Sequence, residues 1–129
     1  MSDVMELIEQ ETVTIDQILK GLLAYEEVLG AVIVTVEGLV MGSVGLVETE
    51  VDLVSLLGAS LAGVAERTTR RLGAGSALGL TIDTHDGMVT VRNGGDFAMM
   101  VFSQICDHRA LQDALTGPMS QIAAILNPE

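Results

Sequence analysis

The sequence is poor in cysteine and in basic residues. It holds one cysteine, Cys106, so no disulfide can form within the chain, and this usage agrees with a reducing compartment. Six lysine and arginine residues stand against 18 aspartate and glutamate residues, which gives a formal net charge of −12. Because this charge repels a phosphate backbone, we expect no nucleic-acid partner.

Long uninterrupted apolar runs are also missing. No run reaches the roughly 18 to 20 residues that cross a bilayer, and the first residues, MSDVMELIEQETVT, are acidic where a secretory signal is basic. We therefore expect a cytoplasmic protein without membrane insertion.

The hydrophobic content instead indicates a folded core. Hydrophobic residues make up 49% of the chain, the mean hydropathy is +0.49, and 129 residues correspond to about one domain. We expect an acidic N-terminal extension over residues 1–13, either a short helical turn or a loosely held segment, followed by a single domain over residues 14–129.

Hydrophobic periodicity predicts a first helix that begins at Thr14. Thr14 and Gln17 have the spacing of a capping box. The apolar residues that share one helical face are Ile15, Ile18, Leu19, Leu22 and Leu23. The next segment, GAVIVTVEGLVMGSVG, predicts a hairpin with a turn at Glu37-Gly38. Both faces of its first strand are almost entirely apolar.

The stretch VDLVSLLGASLAGVAERTTRRLG, residues 51–73, predicts a long second helix. Thr49 is a candidate N-cap, two arginines stand in the last turn, and Gly73 follows. The residues that we interpret as a stripe facing the core are Leu53, Leu57, Leu61 and Val64. The rest of the helix is small and uncharged, so we expect it to meet another protein; the alternative is a helix buried deeper in its own domain.

Three strands and a last helix complete the pattern. The strands lie in SALGLTID, MVTVRN and FAMMVFSQ, with turns at HDG and NGGD. Asp107 is the expected cap of the last helix, and Pro118 is expected to kink or split it. Its apolar residues near one face are Leu111, Leu115, Met119, Ile122 and Leu126.

These elements predict the fold class. The first and last strands are apolar on both faces, so they belong in the middle of the sheet, with helices on both sides. We expect an α/β protein of the α+β kind, with a five-stranded antiparallel sheet and the order α-β-β-α-β-β-β-α.

The order and character of these segments resemble the Roadblock type of dynein light chain and its bacterial MglB-like relatives. The likeness is carried by VLGAVIVTVEGLVMGSVG, by the small-residue helix LVSLLGASLAGVAERTTRRLG and by GLTIDTHDGMVTVRNGGDFAMMVF. It covers the chain from about residue 14 to residue 126. The acidic start and the region of Pro118 match no feature of the family.

The resemblance implies a profilin-like Roadblock fold and a homodimer in which the third strands pair. It also implies that the two middle helices form a platform for a small Ras-like GTPase. The positions expected to bind that partner are Ser55, Ala59, Ala62, Gly63, Glu66 and Arg70. The positions expected on the dimer strand are Ala77, Gly79, Thr81 and Asp83.

Candidates for chemistry have simpler interpretations. Cys106 and His108 lie two residues apart, but no third group positions them, so we interpret them as a buried thiol and a solvated histidine. One cysteine with His85 and His108 makes no convincing zinc site. LGAGSALG lacks the GK[ST] ending of a phosphate loop. We interpret Arg67, Arg70 and Arg71 as helix-dipole partners rather than as an arginine finger.

The expected function is therefore a non-enzymatic regulator or adaptor, with no cofactor and no metal. Two alternatives stay open. One is a passive scaffold subunit of a motor or polarity complex, which need not distinguish the nucleotide states of a GTPase. The other is a small-molecule-sensing domain of similar fold, which needs a cavity with convergent polar groups.

Overall fold

A computed structural model describes residues 15–127, and the expected extension and the capping residue Thr14 lie outside this range. The elements are helix α1 (residues 15–22), strands β1 (Val28–Thr35) and β2 (Val40–Val44), helix α2 (Val51–Arg71), strands β3 (Gly79–Asp83), β4 (Met88–Asn93) and β5 (Phe97–Ser103), and helix α3 (His108–Leu126). The predicted order is confirmed. A 3₁₀ turn, Glu48–Glu50, precedes α2 and was not predicted.

All strand pairs are antiparallel, and the order across the sheet is β2-β1-β5-β4-β3. The two strands predicted to be central, β1 and β5, are paired with each other and have neighbours on both sides. The prediction held because a strand that is apolar on both faces is stable only where both faces are covered. Strands β2 and β3 form the edges.

The two faces of the sheet carry separate cores. Helices α1 and α3 cover one face, where Leu19, Leu115 and Ile122 pack with Met99. Helix α2 covers the other face, where the strands contribute Val32, Val34, Val91 and Met100. Met99 and Met100 are both buried, one in each of these two cores.

Helix α3 is one continuous helix. Asp107 caps it as predicted, because its Oδ1 accepts the backbone N–H groups of Arg109 at 2.9 Å and Ala110 at 3.3 Å. Of the two effects expected of Pro118, a kink or a split, the split does not occur, since α3 is continuous from His108 to Leu126. Leu115 before the proline and Ile122 after it are both buried in the same core, and this packing holds both halves in one helix.

The ends of α2 are only partly as predicted. Thr49 does not cap the helix, because it lies in the 3₁₀ turn and Glu50 takes the N-cap position without a side-chain hydrogen bond. At the other end Gly73 has φ of 72°, and the N–H of Ala74 bonds to the carbonyl of Thr69 at 2.8 Å. This is a Schellman motif, which needs a residue that tolerates positive φ after the last turn.

None of the helices in residues 15–127 has the length and apolar character to cross a membrane.

Candidate functional site

Helix α2 lies on the sheet in the orientation opposite to the one that we predicted. The side chain of Ser55 is 0% exposed, whereas Leu53 is 56% exposed and Leu57 is 54% exposed. Val64 is also half exposed. The prediction that these three apolar residues face the core is wrong, and only Leu61 of the predicted stripe packs against the core beneath α2.

The reason lies in the side chains of the strands. Met100 rises from β5 towards α2, and a Cβ atom at Gly58 would collide with its Cε. The helix backbone lies close to the sheet here, and the small residues Ser55 and Gly58 fit where the two meet. The strands fill much of the interior on this side, so Leu53, Leu56, Leu57 and Val64 of α2 point outwards, while Val54 and Leu61 pack against the core.

An apolar surface results on the solvent side of the helix. We call it the outer surface of α2, and its residues are Leu53, Leu56, Leu57, Ser60 and Val64. No charged residue occurs between Asp52 and Glu66. A row of half-exposed leucines without a charge is the kind of patch that marks a protein interaction site.

This surface was not predicted from the sequence, although the sequence carries a signal for it. Leu53, Leu57 and Val64 recur at helical spacing, and the same row continues into Arg67 and Arg71. Both arginines are exposed. Because isolated arginines are seldom buried, their position in the row identifies the leucine side as the outward one.

Five of the six positions predicted to bind a partner come together in a cavity beside the outer surface. The cavity has a volume of about 520 Å³ and lies between α2 and the ends of β1, β4 and β5. The predicted residues that line it are Ala59, Ala62, Gly63, Glu66 and Arg70. Ser55 does not join them, since its side chain is sealed between α2 and the sheet.

Polar groups meet at one side of this cavity. Glu66 forms an ion pair with Arg70 and accepts the backbone N–H of Ala77 through Oε2 at 2.8 Å. Arg70 also donates through Nη2 to the Ser76 hydroxyl at 2.9 Å. The Ala77 N–H, followed by Arg70, holds the pKa of Glu66 below its ordinary value of 4.5. These bonds tie the segment before β3 to the helix.

The edge strand β3 presents unpaired backbone groups. Two hydrogen bonds lie at the ends of its ladder with β4: Asn93 N donates to Leu78 O at 3.0 Å, and Thr84 N donates to Gly87 O at 3.0 Å. Leu78 and Thr84 therefore direct these backbone groups towards β4. Alternate residues of an antiparallel pair direct their N–H and C=O groups towards the same neighbour. The residues that direct these groups to the open edge are therefore Gly79, Thr81 and Asp83.

Ala77, the fourth residue predicted on the dimer strand, differs from the other three. It precedes β3, its side chain is buried, and its N–H is bound to Glu66.

Cys106 and His108, the residues considered for chemistry, make separate contacts. Cys106 is partly buried against the core of α1 and α3, and its backbone N–H donates to Met88 Sδ at 3.4 Å. His108 instead pairs with Asp83, with 2.9 Å between Nε2 and Oδ1. Across the part of the chain that the structure describes, no three His, Cys, Asp or Glu side chains are grouped to hold a metal ion.

The sequence matches the model of a known family, and the fold is similar to those of solved structures. The model of the Roadblock/LC7 domain family matches residues 14–104. A Roadblock/LC7 domain from Streptomyces avermitilis is similar in structure, with a TM-score of 0.73, 20% identity, and coverage of 88% of this chain and 94% of that one. No curated protein sequence matched.

Two MglB structures are also similar. Myxococcus xanthus MglB has a TM-score of 0.82 at 10% identity and covers 91% of this chain and 90% of its own. A structure described as MglB with tetrameric arrangement has a TM-score of 0.75 at 16% identity, with 89% of each chain covered. At such low identities the structural likeness establishes the fold alone.

Proposed function

Because the chain belongs to the Roadblock/LC7 domain family, we propose that it is a cytoplasmic, non-enzymatic homodimer that binds a small Ras-like GTPase through the outer surface of α2 and regulates or localises it. The observation that carries this proposal is the uncharged row of half-exposed leucines on that helix. The similarity to MglB structures agrees with it.

The outer surface suits a protein partner on physical grounds. Each half-exposed leucine still has apolar area to remove from water, at about 25 cal/mol for each Å² buried. No residue from Leu53 to Ala65 is charged, so a partner that covers this row does not have to desolvate a charged side chain of the helix. A surface of this kind is stabilised by being covered.

The position of the contact differs from the one that the sequence indicated. Leu53, Leu57 and Val64 form its centre, and Ser55, one of the six predicted positions, is excluded because it is buried. Glu66 and Arg70 stay candidates for the rim, because Arg70 is exposed beside the outer surface and Glu66 is partly exposed.

Self-association through β3 is the second part of the proposal. Thr81 directs its backbone N–H to the open edge, so pairing with β3 of a second copy would extend the sheet. Thr81→Pro removes that N–H but no bond to β4, and we expect it to convert the dimer to a monomer in light-scattering measurements. Thr81→Val keeps the N–H and is the matched control. A Thr81→Pro protein that stays dimeric would exclude pairing through β3.

Titration against Ras-like GTPases, each loaded with GDP or with a GTP analogue, tests the function. We expect binding to one nucleotide state to exceed binding to the other, and Leu57→Arg to abolish it. Thr116→Arg places the same charge on an exposed position of α3, across the sheet, and should bind as the wild type does.

The outcomes separate the alternatives. Binding that is indifferent to the nucleotide would favour a passive scaffold over a regulator. Binding that survives Leu57→Arg would place the contact away from α2, and a complete absence of binding to these GTPases would reject the proposal.

A further inference from the structure

The cavity beside α2 has the dimensions of a ligand site. Its volume of about 520 Å³ lies within the range of roughly 300 to 1,000 Å³ that is usual for small-molecule pockets. Its space exists because Ala59, Ala62 and Gly63 of α2 are small, whereas Glu66 and Arg70 of the same helix line its polar side. The apolar residues that line it include Val36, Ala59, Ala62, Leu78, Phe97 and Ala98.

Positive charge converges on one side of this cavity, although the protein as a whole is strongly negative. Arg70 lines the cavity, and Arg67 lies beside it, with Nη1 at 3.3 Å from where a Cβ on Gly63 would be. These are two of only six basic residues in the chain. The one carboxylate in the lining, Glu66, is already bound to Arg70 and to the N–H of Ala77.

Hydrogen-bond donors remain on the same side. Arg70 uses Nε for Glu66 and Nη2 for Ser76, and within residues 15–127 its Nη1 makes no hydrogen bond. Arg67 makes no ion pair with any described residue. Donors of this kind bind carboxylates strongly.

We propose that the cavity binds a small monocarboxylate with an apolar body, such as a medium-chain fatty acid or an arylalkanoate. The apolar body lies between α2 and Phe97, and the carboxylate accepts a hydrogen bond from Arg70 with Arg67 alongside. Both ligand types share this chemistry. Ligand binding here requires no GTPase, so it stands or falls separately from the proposed function.

Calorimetric titration of the full-length chain with decanoate tests this proposal, at concentrations below those at which the fatty acid self-associates. We expect saturable binding of decanoate and affinity for decanol that is weaker by at least about tenfold, since decanol lacks the charge. Acetate lacks the apolar body and decyltrimethylammonium has the opposite charge, so neither should bind. Phenylbutyrate in place of decanoate distinguishes an aryl from an alkyl ligand.

Three variants locate the site. Arg70→Gln should weaken decanoate binding by at least about tenfold, whereas Arg71→Gln, which removes the same charge outside the cavity, should leave it unchanged. Ala62→Phe fills the cavity and should abolish binding. Leu78→Glu changes an exposed residue at the cavity and should repel the carboxylate even if Ala62→Phe fails to fold.

Several results would overturn the proposal. Absence of decanoate binding would do so directly. Equal affinity for decanol would show that the carboxylate is not recognised. Equal effects of Arg70→Gln and Arg71→Gln, or unchanged binding in Leu78→Glu, would place any bound decanoate elsewhere.

Discussion

The two faces of the sheet are covered by helices of opposite construction. On the side of α1 and α3, large residues such as Leu19 and Leu115 point inwards and are about 1% exposed. On the side of α2, small residues such as Ser55 and Gly58 point inwards, while Leu57 points to solvent. The size of an apolar side chain therefore does not decide its burial; the space left by the strands beneath it does.

The difference also separates stability from interaction. The inward leucines of α1 and α3 already remove their area from water within the domain, so they serve folding. The leucines of α2 contribute little to that core and are available for contact with another molecule. The comparison predicts that equal substitutions on the two faces have unequal effects.

Insertion of a charge should give the largest contrast. Ser55→Arg places a guanidinium where no water reaches, and we expect a loss of more than about 4 kcal/mol in the free energy of unfolding or complete loss of the fold. Leu57→Arg, two residues away, should change it by less than about 1 kcal/mol, because its side chain points outwards. Circular dichroism during urea unfolding measures both.

The contrast would break down in one of two ways. A cooperative transition in Ser55→Arg close to that of the wild type would mean that Ser55 is not sealed beneath the helix. If Leu57→Arg unfolded the protein, the leucine row would have to face the core, as was predicted from the sequence.

Removal of apolar volume should give the next largest contrast. Leu115→Ala opens a cavity in the core of α1 and α3, and we expect it to cost about 2 to 5 kcal/mol. Leu57→Ala removes the same atoms from the outer surface of α2 and should cost less than about 1 kcal/mol. Urea unfolding at one fixed protein concentration keeps any contribution of self-association constant. Equal losses would contradict the comparison.

The sequence predicted the order and topology of the fold because these depend on patterns that extend over many residues. Strand β5 is apolar on both faces, and such a strand has few stable positions other than the middle of a sheet. Asp107 and Gly73 were located correctly for a local reason, since each satisfies backbone groups at one end of a helix.

The orientation of α2 could not be obtained from apolar periodicity, and in the sequence only the continuation of the leucine row into Arg67 and Arg71 indicates it. The helix is apolar or small on all sides over residues 53–65, so periodicity does not separate its faces. The choice depends on Met100, which occupies the space beneath Gly58 and is 42 positions later in the sequence. The cavity depends on the same long-range packing, which brings Phe97 and Leu78 beside α2.

A smaller contrast comes from serine hydroxyls. Ser55 Oγ is buried and has no hydrogen-bond partner among the described residues, so Ser55→Ala should raise the free energy of unfolding by about 1 kcal/mol. Ser60 lies on the outer surface, where its hydroxyl donates to the carbonyl of Leu56 at 2.9 Å. Ser60→Ala should change stability by no more than about 0.5 kcal/mol. Equal gains would attribute the effect to helix propensity alone.

The smallest expected effect concerns Glu66, which lies between the two faces of α2. Its lowered pKa means that the folded state favours the carboxylate, mainly through the N–H of Ala77 and then through Arg70. This contribution is present above the ordinary value of 4.5 and is lost as the pH falls through the lowered pKa of the folded state. Partial exposure and solvent screening keep it small.

Glu66→Gln keeps an oxygen that can accept from Ala77 but removes the charge, so its Tm should be slightly below that of the wild type at neutral pH. We expect this Tm difference to close as the pH falls below 4.5, because the wild-type carboxylate is then neutralised as well. Thermal unfolding of both proteins across this pH range measures the difference directly, since the other acidic groups are common to both. A Tm difference that does not depend on pH would mean that the charge of Glu66 adds nothing to the attachment of the segment before β3. Glu66 would then hold that segment only through its hydrogen bond with the N–H of Ala77.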